Sequence, residues 1–157
     1  MKRTVRSVLH SRSADETRRL GAEMARRLRA GACVALVGPL GSGKTEWVRG
    51  ACRGLDVDDE VLSPTFILYE EFAGRLRVVH IDLYRLDHES ELEALGVFDL
   101  LGGDAVVLAE WADRSEMLMG HSDVAVTFAD AGADARRIEV TYTPELSGAF
   151  EGMERWL

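Results

Sequence analysis

The sequence predicts an α/β protein: a mostly parallel sheet with helices on both faces and late antiparallel strands. Three observations predict it. Unbroken apolar runs such as Ala32 to Val37 and Ala105 to Ala109 have the character of strands buried on both faces of a parallel sheet. Stretches with apolar residues at helical spacing are interleaved with them. Two late segments, Asp123 to Phe128 and Arg137 to Tyr142, read as strands that pair antiparallel.

In chain order, Thr4 to Leu9 alternates weakly and predicts a short first strand. Ser13 followed by Glu16 has capping-box spacing and marks a helix start. Leu20, Met24 and Leu28, with Gly21 and Ala25 beside them, form its buried stripe. Arg18, Arg19, Arg26, Arg27 and Arg29 make up a solvated face and, secondarily, an interaction surface. Gly31 is expected to end this helix. A strand over 32–37 leads into a glycine-rich loop and a second helix from about Lys44 to Arg53. Strands are expected over Phe66 to Phe72, Leu76 to Asp82 and Ala105 to Ala109, a helix over Asp87 to Leu95, and a short tail over Gly152 to Leu157.

The 157 residues fit a single domain, 1–157, without repeats or a linker. Apolar residues make up 46% and charged residues 29%, which fits a soluble chain with a real core. No apolar run approaches the ~20 residues that a membrane span needs. The basic N-terminus has no apolar segment after it and does not read as a signal peptide. Cys33 and Cys52 sit outside any metal or redox motif and read as reduced, partly buried thiols. These features place the chain in the cytoplasm. A net charge of −8 and a pI near 5.0 argue against a strong direct grip on nucleic acid.

The loop carries the chemistry. Gly38-Pro39-Leu40-Gly41-Ser42-Gly43-Lys44-Thr45 satisfies the Walker A pattern, between a buried strand and a helix. Its glycines let consecutive N–H groups point at phosphate oxygens, and the helix N-terminus adds a positive dipole. Lys44 is placed to bridge the β- and γ-phosphates and Thr45 to put its hydroxyl on Mg²⁺. Of 19 basic residues, 17 are Arg, so a lysine at position 44 suggests a need for a compact ammonium. The fold expectation therefore sharpens to a P-loop NTPase-like sheet. With lysines only at positions 2 and 44, the chain has no Asn-Lys-x-Asp guanine motif, so ATP is the expected nucleotide. Two acids compete for the Mg²⁺ role: Asp82 and Glu110 each end an apolar strand, at the carboxyl edge where ligands gather in open α/β sheets. Ser63-Pro64-Thr65-Phe66 falls where a switch segment would lie, with Thr65 as a γ-phosphate sensor.

The loop, Ser63-Pro64-Thr65-Phe66, His80-Ile81-Asp82-Leu83-Tyr84-Arg85-Leu86 and Glu110-Trp111, in this order and spacing, resemble the TsaE (YjeE) family. Glu91-Leu92, Leu95-Gly96 and Thr17…Leu20-Gly21 add to a resemblance that covers nearly the whole chain. It implies a bacterial cytosolic ATPase that works with TsaB and TsaD in forming N6-threonylcarbamoyladenosine in tRNA, touching tRNA only indirectly. It also implies that Thr45 and Glu110 hold Mg²⁺, that Thr65 lies in the switch segment, that Asp82 is a Walker B-like acid, that Trp111 lies beside the site and that Arg136 contacts the nucleotide. The catalytic set is then Lys44, Asp82, Glu110 and Thr65. The nucleotide set is Gly38, Leu40, Gly41, Ser42, Gly43, Lys44, Thr45 and Arg136. Pro39, Ser42 and Glu46 depart from the common family loop and bear on affinity and rate.

Beside this slow, partner-coupled ATPase stand two alternatives. One is a small-molecule or nucleoside kinase, which the absence of a paired-arginine lid disfavours. The other is a non-hydrolysing module in which ATP only orders 63–66 for docking, which two acids beside the loop disfavour. The arginines of the first helix and Leu83 to Leu86 are the expected docking surfaces.

Overall fold

A computed structural model of the chain describes residues 4–61 and 69–157. Its strands are β1 (Val5–Ser11), β2 (Cys33–Val37), β3 (Tyr69–Ala73), β4 (Arg77–Asp82), β5 (Ala105–Glu110), β6 (Val124–Asp130) and β7 (Arg136–Tyr142). They form one sheet in the order β1-β7-β6-β2-β5-β4-β3. The four central strands, β6-β2-β5-β4, run parallel. Both flanks are antiparallel: β3 on β4 at one side, β6 on β7 on β1 at the other. The sheet is therefore mixed, parallel where apolar runs are buried on both faces and antiparallel where residues alternate. The late pair forms as expected. The pairing of β1 with β7 and the reversal of β3 were not legible beforehand. The expected strand from Phe66 survives as β3 from Tyr69 onward, and its first residues lie outside the described residues.

Strand periodicity splits the core in two. Val34, Leu36, Val106 and Leu108 face α1 (Ala14–Ala25) and α2 (Lys44–Gly54). Cys33, Ala35, Val107 and Ala109 face α3 (Glu89–Ala94), α4 (Val97–Leu100) and α5 (Glu116–His121), which contribute Leu92, Val97 and Leu118. Helices thus cover both faces.

Ser13 caps α1 by accepting the Glu16 N–H at 3.1 Å. Glu16 completes the motif one residue early, accepting from the Arg12 N–H at 2.7 Å. The helix ends at Ala25, before Gly31, and turn bonds carry Leu28 into the core. The helices α1 and α2 meet through small residues. A Cβ on Gly21 would overlap the Trp47 carbonyl, one on Gly50 the Arg18 carbonyl, and one on Gly54 the Ala22 carbonyl. Only hydrogen fits at these three positions, and the backbones approach accordingly closely.

The arginines of α1 and of the turn after it are less free than a solvated face implies. Arg18 pairs with Asp15 and with Glu46 of α2. Arg27 pairs with Glu23 and stacks over the Trp156 ring at 4.2 Å. That stack belongs to a tail that is packed, since Phe150 and Met153 are buried and Phe150 meets Tyr142 and Trp156 edge-on. Cys33 and Cys52 are free thiols on opposite faces of the sheet, and burial pushes the pKa of each up to about 12. Among the described residues, no helix is long and apolar enough to cross a membrane.

Candidate functional site

The loop joins the end of β2 to the start of α2 at the carboxyl edge of the parallel strands. Gly43 precedes the helix with φ 110°, and Gly41 turns with φ 73°. Both lie in the left-handed region that a side chain disfavours. Leu40 at the tip is 79% exposed, whereas Ser42 and Lys44 are buried. The Lys44 ammonium donates to the carbonyls of Gly38 at 2.6 Å and Pro39 at 2.8 Å, and lies 4.2 Å from the centre of the Trp111 ring. Burial lowers its pKa, while Glu110, Asp82 and Asp113 pull the other way. Pro39 lacks an N–H, but its carbonyl also accepts from the Ser42 N–H at 3.1 Å, so it helps to close the turn.

The two candidate acids are register partners at the ends of β4 and β5. Their surroundings separate them. Glu110 is buried, with Oε1 accepting from the Thr45 hydroxyl at 2.9 Å and Oε2 paired with His80 Nε2 at 2.7 Å. Asp82 is partly exposed and accepts from the Tyr84 N–H at 2.8 Å, which turns the chain at the strand end. Burial raises its pKa above the usual carboxylate value and Glu110 adds to this, against the Tyr84 N–H, His80 and Lys44. A hydroxyl and a carboxylate side by side at a phosphate loop are hard oxygen donors of the kind Mg²⁺ takes, with phosphate and water completing its shell. The residues present fit that ion.

Trp111 follows Glu110 with a left-handed φ of 56°. Its ring packs 5.0 Å from Tyr84, and the Arg114 guanidinium lies 5.5 Å from both rings. Within the Leu83 to Leu86 stretch, Leu83 and Leu86 are buried in the core, so Tyr84 and Arg85 are the two that present side chains to solvent. Arg136 reaches the loop itself. Its guanidinium donates to the Ser42 carbonyl at 3.0 Å and the Gly41 carbonyl at 3.1 Å, and also to Ala133 and Ala135 in its own hairpin. Glu46, one residue past Thr45, pairs with Arg18 and Arg49, which draws it toward α1. Thr65 lies outside the described residues.

The family model for the threonylcarbamoyl adenosine biosynthesis protein TsaE matches residues 11–138. The chain belongs to the TsaE family. Curated TsaE relatives agree. The tRNA threonylcarbamoyladenosine biosynthesis protein TsaE of Treponema pallidum is 39% identical over 104 residues, 66% of this chain and 77% of that one. Its counterpart in Bacillus subtilis is 35% identical over 130 residues, 82% and 80% of the two chains. The crystal structure of YdiB from Bacillus subtilis has the same fold, with a TM-score of 0.79 over 99% of this chain and 98% of that one at 24% identity.

This TsaE-family site brings together Lys44, Thr45, Glu110 and Asp82, all predicted from sequence, with Trp111 and Arg136 at its border. Sequence reasoning gave His80 no role. A signal was present: on a strand, positions 80 and 82 share a face, so a histidine two residues before a candidate acid points to the same side.

Proposed function

We propose that this chain binds and slowly hydrolyses ATP with Mg²⁺, and that this ATPase cycle supports N6-threonylcarbamoyladenosine formation in tRNA together with TsaB and TsaD in the cytoplasm. The observation that carries the reading is the Thr45 to Glu110 hydrogen bond at 2.9 Å, beside a buried lysine in a complete phosphate loop. Family membership supports the pathway.

Mg²⁺ supplies neutralisation of charge on the phosphates. The chain's own residues do the rest. Loop N–H groups from Gly38 to Thr45 and the N-terminal end of α2 face the phosphates. Lys44 exchanges carbonyl partners for phosphate oxygens, which is favourable because a hydrogen bond between two charged groups is stronger than one to a neutral carbonyl. Thr45 and Glu110 hold the metal. Asp82, less buried and accepting the Tyr84 N–H, orients the attacking water. Thr65, in the switch segment that the family resemblance implies, senses the γ-phosphate. Arg136 shapes the loop from behind and so supports the nucleotide set of Gly38, Leu40, Gly41, Ser42, Gly43, Lys44 and Thr45. With few groups to activate water, turnover is slow until partners complete the site.

The test is ATP turnover by the purified protein, alone and with TsaB and TsaD, beside a Lys44→Ala control. Turnover that rises with the partners and vanishes in the variant supports the reading. Turnover indifferent to the partners defeats the partner-coupled role.

A further inference from the structure

Parallel pairing of β4 and β5 sets three groups on the α2 side of the sheet. His80 and Asp82 share the face of Val78, and Glu110 shares the face of Leu108, both residues of the core beneath α1 and α2. His80 is 1% exposed and Glu110 2%. A carboxylate so buried needs a partner for each oxygen. It has two of different kinds. The Thr45 hydroxyl turns about a single bond and stands at the first turn of α2, facing the site. The imidazole, by contrast, is carried on the sheet itself and is buried there. Because a carboxylate only accepts, the proton of this bond is assigned to Nε2. The other ring nitrogen, Nδ1, is buried with no hydrogen-bond partner among the described residues, so the bond to Glu110 is what orients the ring there.

We propose that His80 is a positioning residue that fixes the rotation of the Glu110 carboxylate, leaving Oε1 aimed at Thr45 and at the Mg²⁺ they hold. This rests on the Mg-ATP reading above. The need for it is electrostatic. Lys44 lies close enough for Glu110 to be the largest charge acting on its ammonium. Once the Thr45 hydroxyl turns to a ligand, an untethered carboxylate would swing toward that ammonium and leave the metal position. His80 holds Oε2 and blocks that collapse, as partners behind metal ligands generally do.

The experiment measures ATP affinity by equilibrium titration across a Mg²⁺ series and in EDTA, for wild type, His80→Leu, His80→Asn and His80→Gln, with melting curves for each. A glutamine amide nitrogen reaches the position of Nε2, whereas that of asparagine falls short. His80→Leu and His80→Asn should raise the half-saturating Mg²⁺ by about 10- to 100-fold, leave metal-free ATP affinity little changed, and His80→Gln should recover most of the loss. An unchanged Mg²⁺ requirement in the leucine and asparagine variants overturns the proposal. So does a loss of metal-free affinity that is equal in all three, because that marks a merely structural residue. If the leucine variant does not fold, the contrast between glutamine and asparagine decides alone. Wild-type protein whose ATP affinity ignores Mg²⁺ would defeat the underlying reading as well, and would do so before any substitution was compared.

Discussion

The two faces of the sheet are built differently. One is covered by α1 and α2, 12 and 11 residues long and joined through glycines. The other is covered by α3, α4 and α5, of six, four and six residues. The phosphate machinery belongs to the first face: Lys44 and Thr45 open α2, while His80 and Glu110 point up from the strands beneath it. The second face supplies apolar cover and, at its rim, the Tyr84, Trp111 and Arg114 stack. Precision in placing a loop comes from welding its helix to a neighbour, and short helices suffice where only burial is needed.

That contrast can be broken by substitution. Leu118→Ala, in the core of the short-helix face, should cost about 2–5 kcal/mol by leaving a cavity. ATP affinity measured well below the melting temperature should nevertheless hold; a parallel loss of affinity would show that the two faces are not separable. Lys44→Ala should do the reverse. It removes charge-assisted bonds worth about 1.5–3 kcal/mol each, so ATP affinity should fall on the order of 100-fold or more with little loss of melting temperature. Gly50→Ala should affect both properties. Its methyl would overlap the Arg18 carbonyl, an overpacking cost of about 1–3 kcal/mol, and parting α1 from α2 should weaken ATP binding, as calorimetry and titration on the same sample would show.

Two smaller effects sharpen the picture. Cys33 and Cys52, with pKa pushed to about 12, should react very slowly with iodoacetamide in folded protein at pH 8 and rapidly once it is unfolded. Asp82 has a folded-state pKa raised by burial, so its contribution to stability is present at low pH and lost as pH rises through the folded value. Asp82→Asn should therefore raise the melting temperature slightly near neutral pH, and the gain should vanish below the ordinary carboxylate range.

The same difference between faces governed what the sequence revealed. The helices α1 and α2 were legible because each is long enough for apolar periodicity to repeat, and Ser13 and the glycine loop mark their starts. The helices α4 and α5 were not expected, since one or two turns carry no period to read. The site was legible wherever a residue type had to follow from phosphate chemistry: Lys44, Thr45, and an acid at a strand end. Which acid meets Thr45 was settled by burial and register, which a single strand does not disclose. The Arg136 bridge to Ser42 spans 94 positions, and Glu46 depends on Arg18 of another helix, so neither contact has a local signature.

The pairing of β1 with β7 has a consequence for how the chain acquires its structure. Val5 lies opposite Tyr142 and Ser11 opposite Arg136, so β1 finds its neighbour only once the chain from β1 through β7 has been made. Closing so long a loop costs entropy and slows folding. Within the sheet β1 pairs with β7 alone, and so attaches through the hairpin whose Arg136 braces the phosphate loop. The brace on the phosphate loop therefore depends on a strand made long after the loop itself.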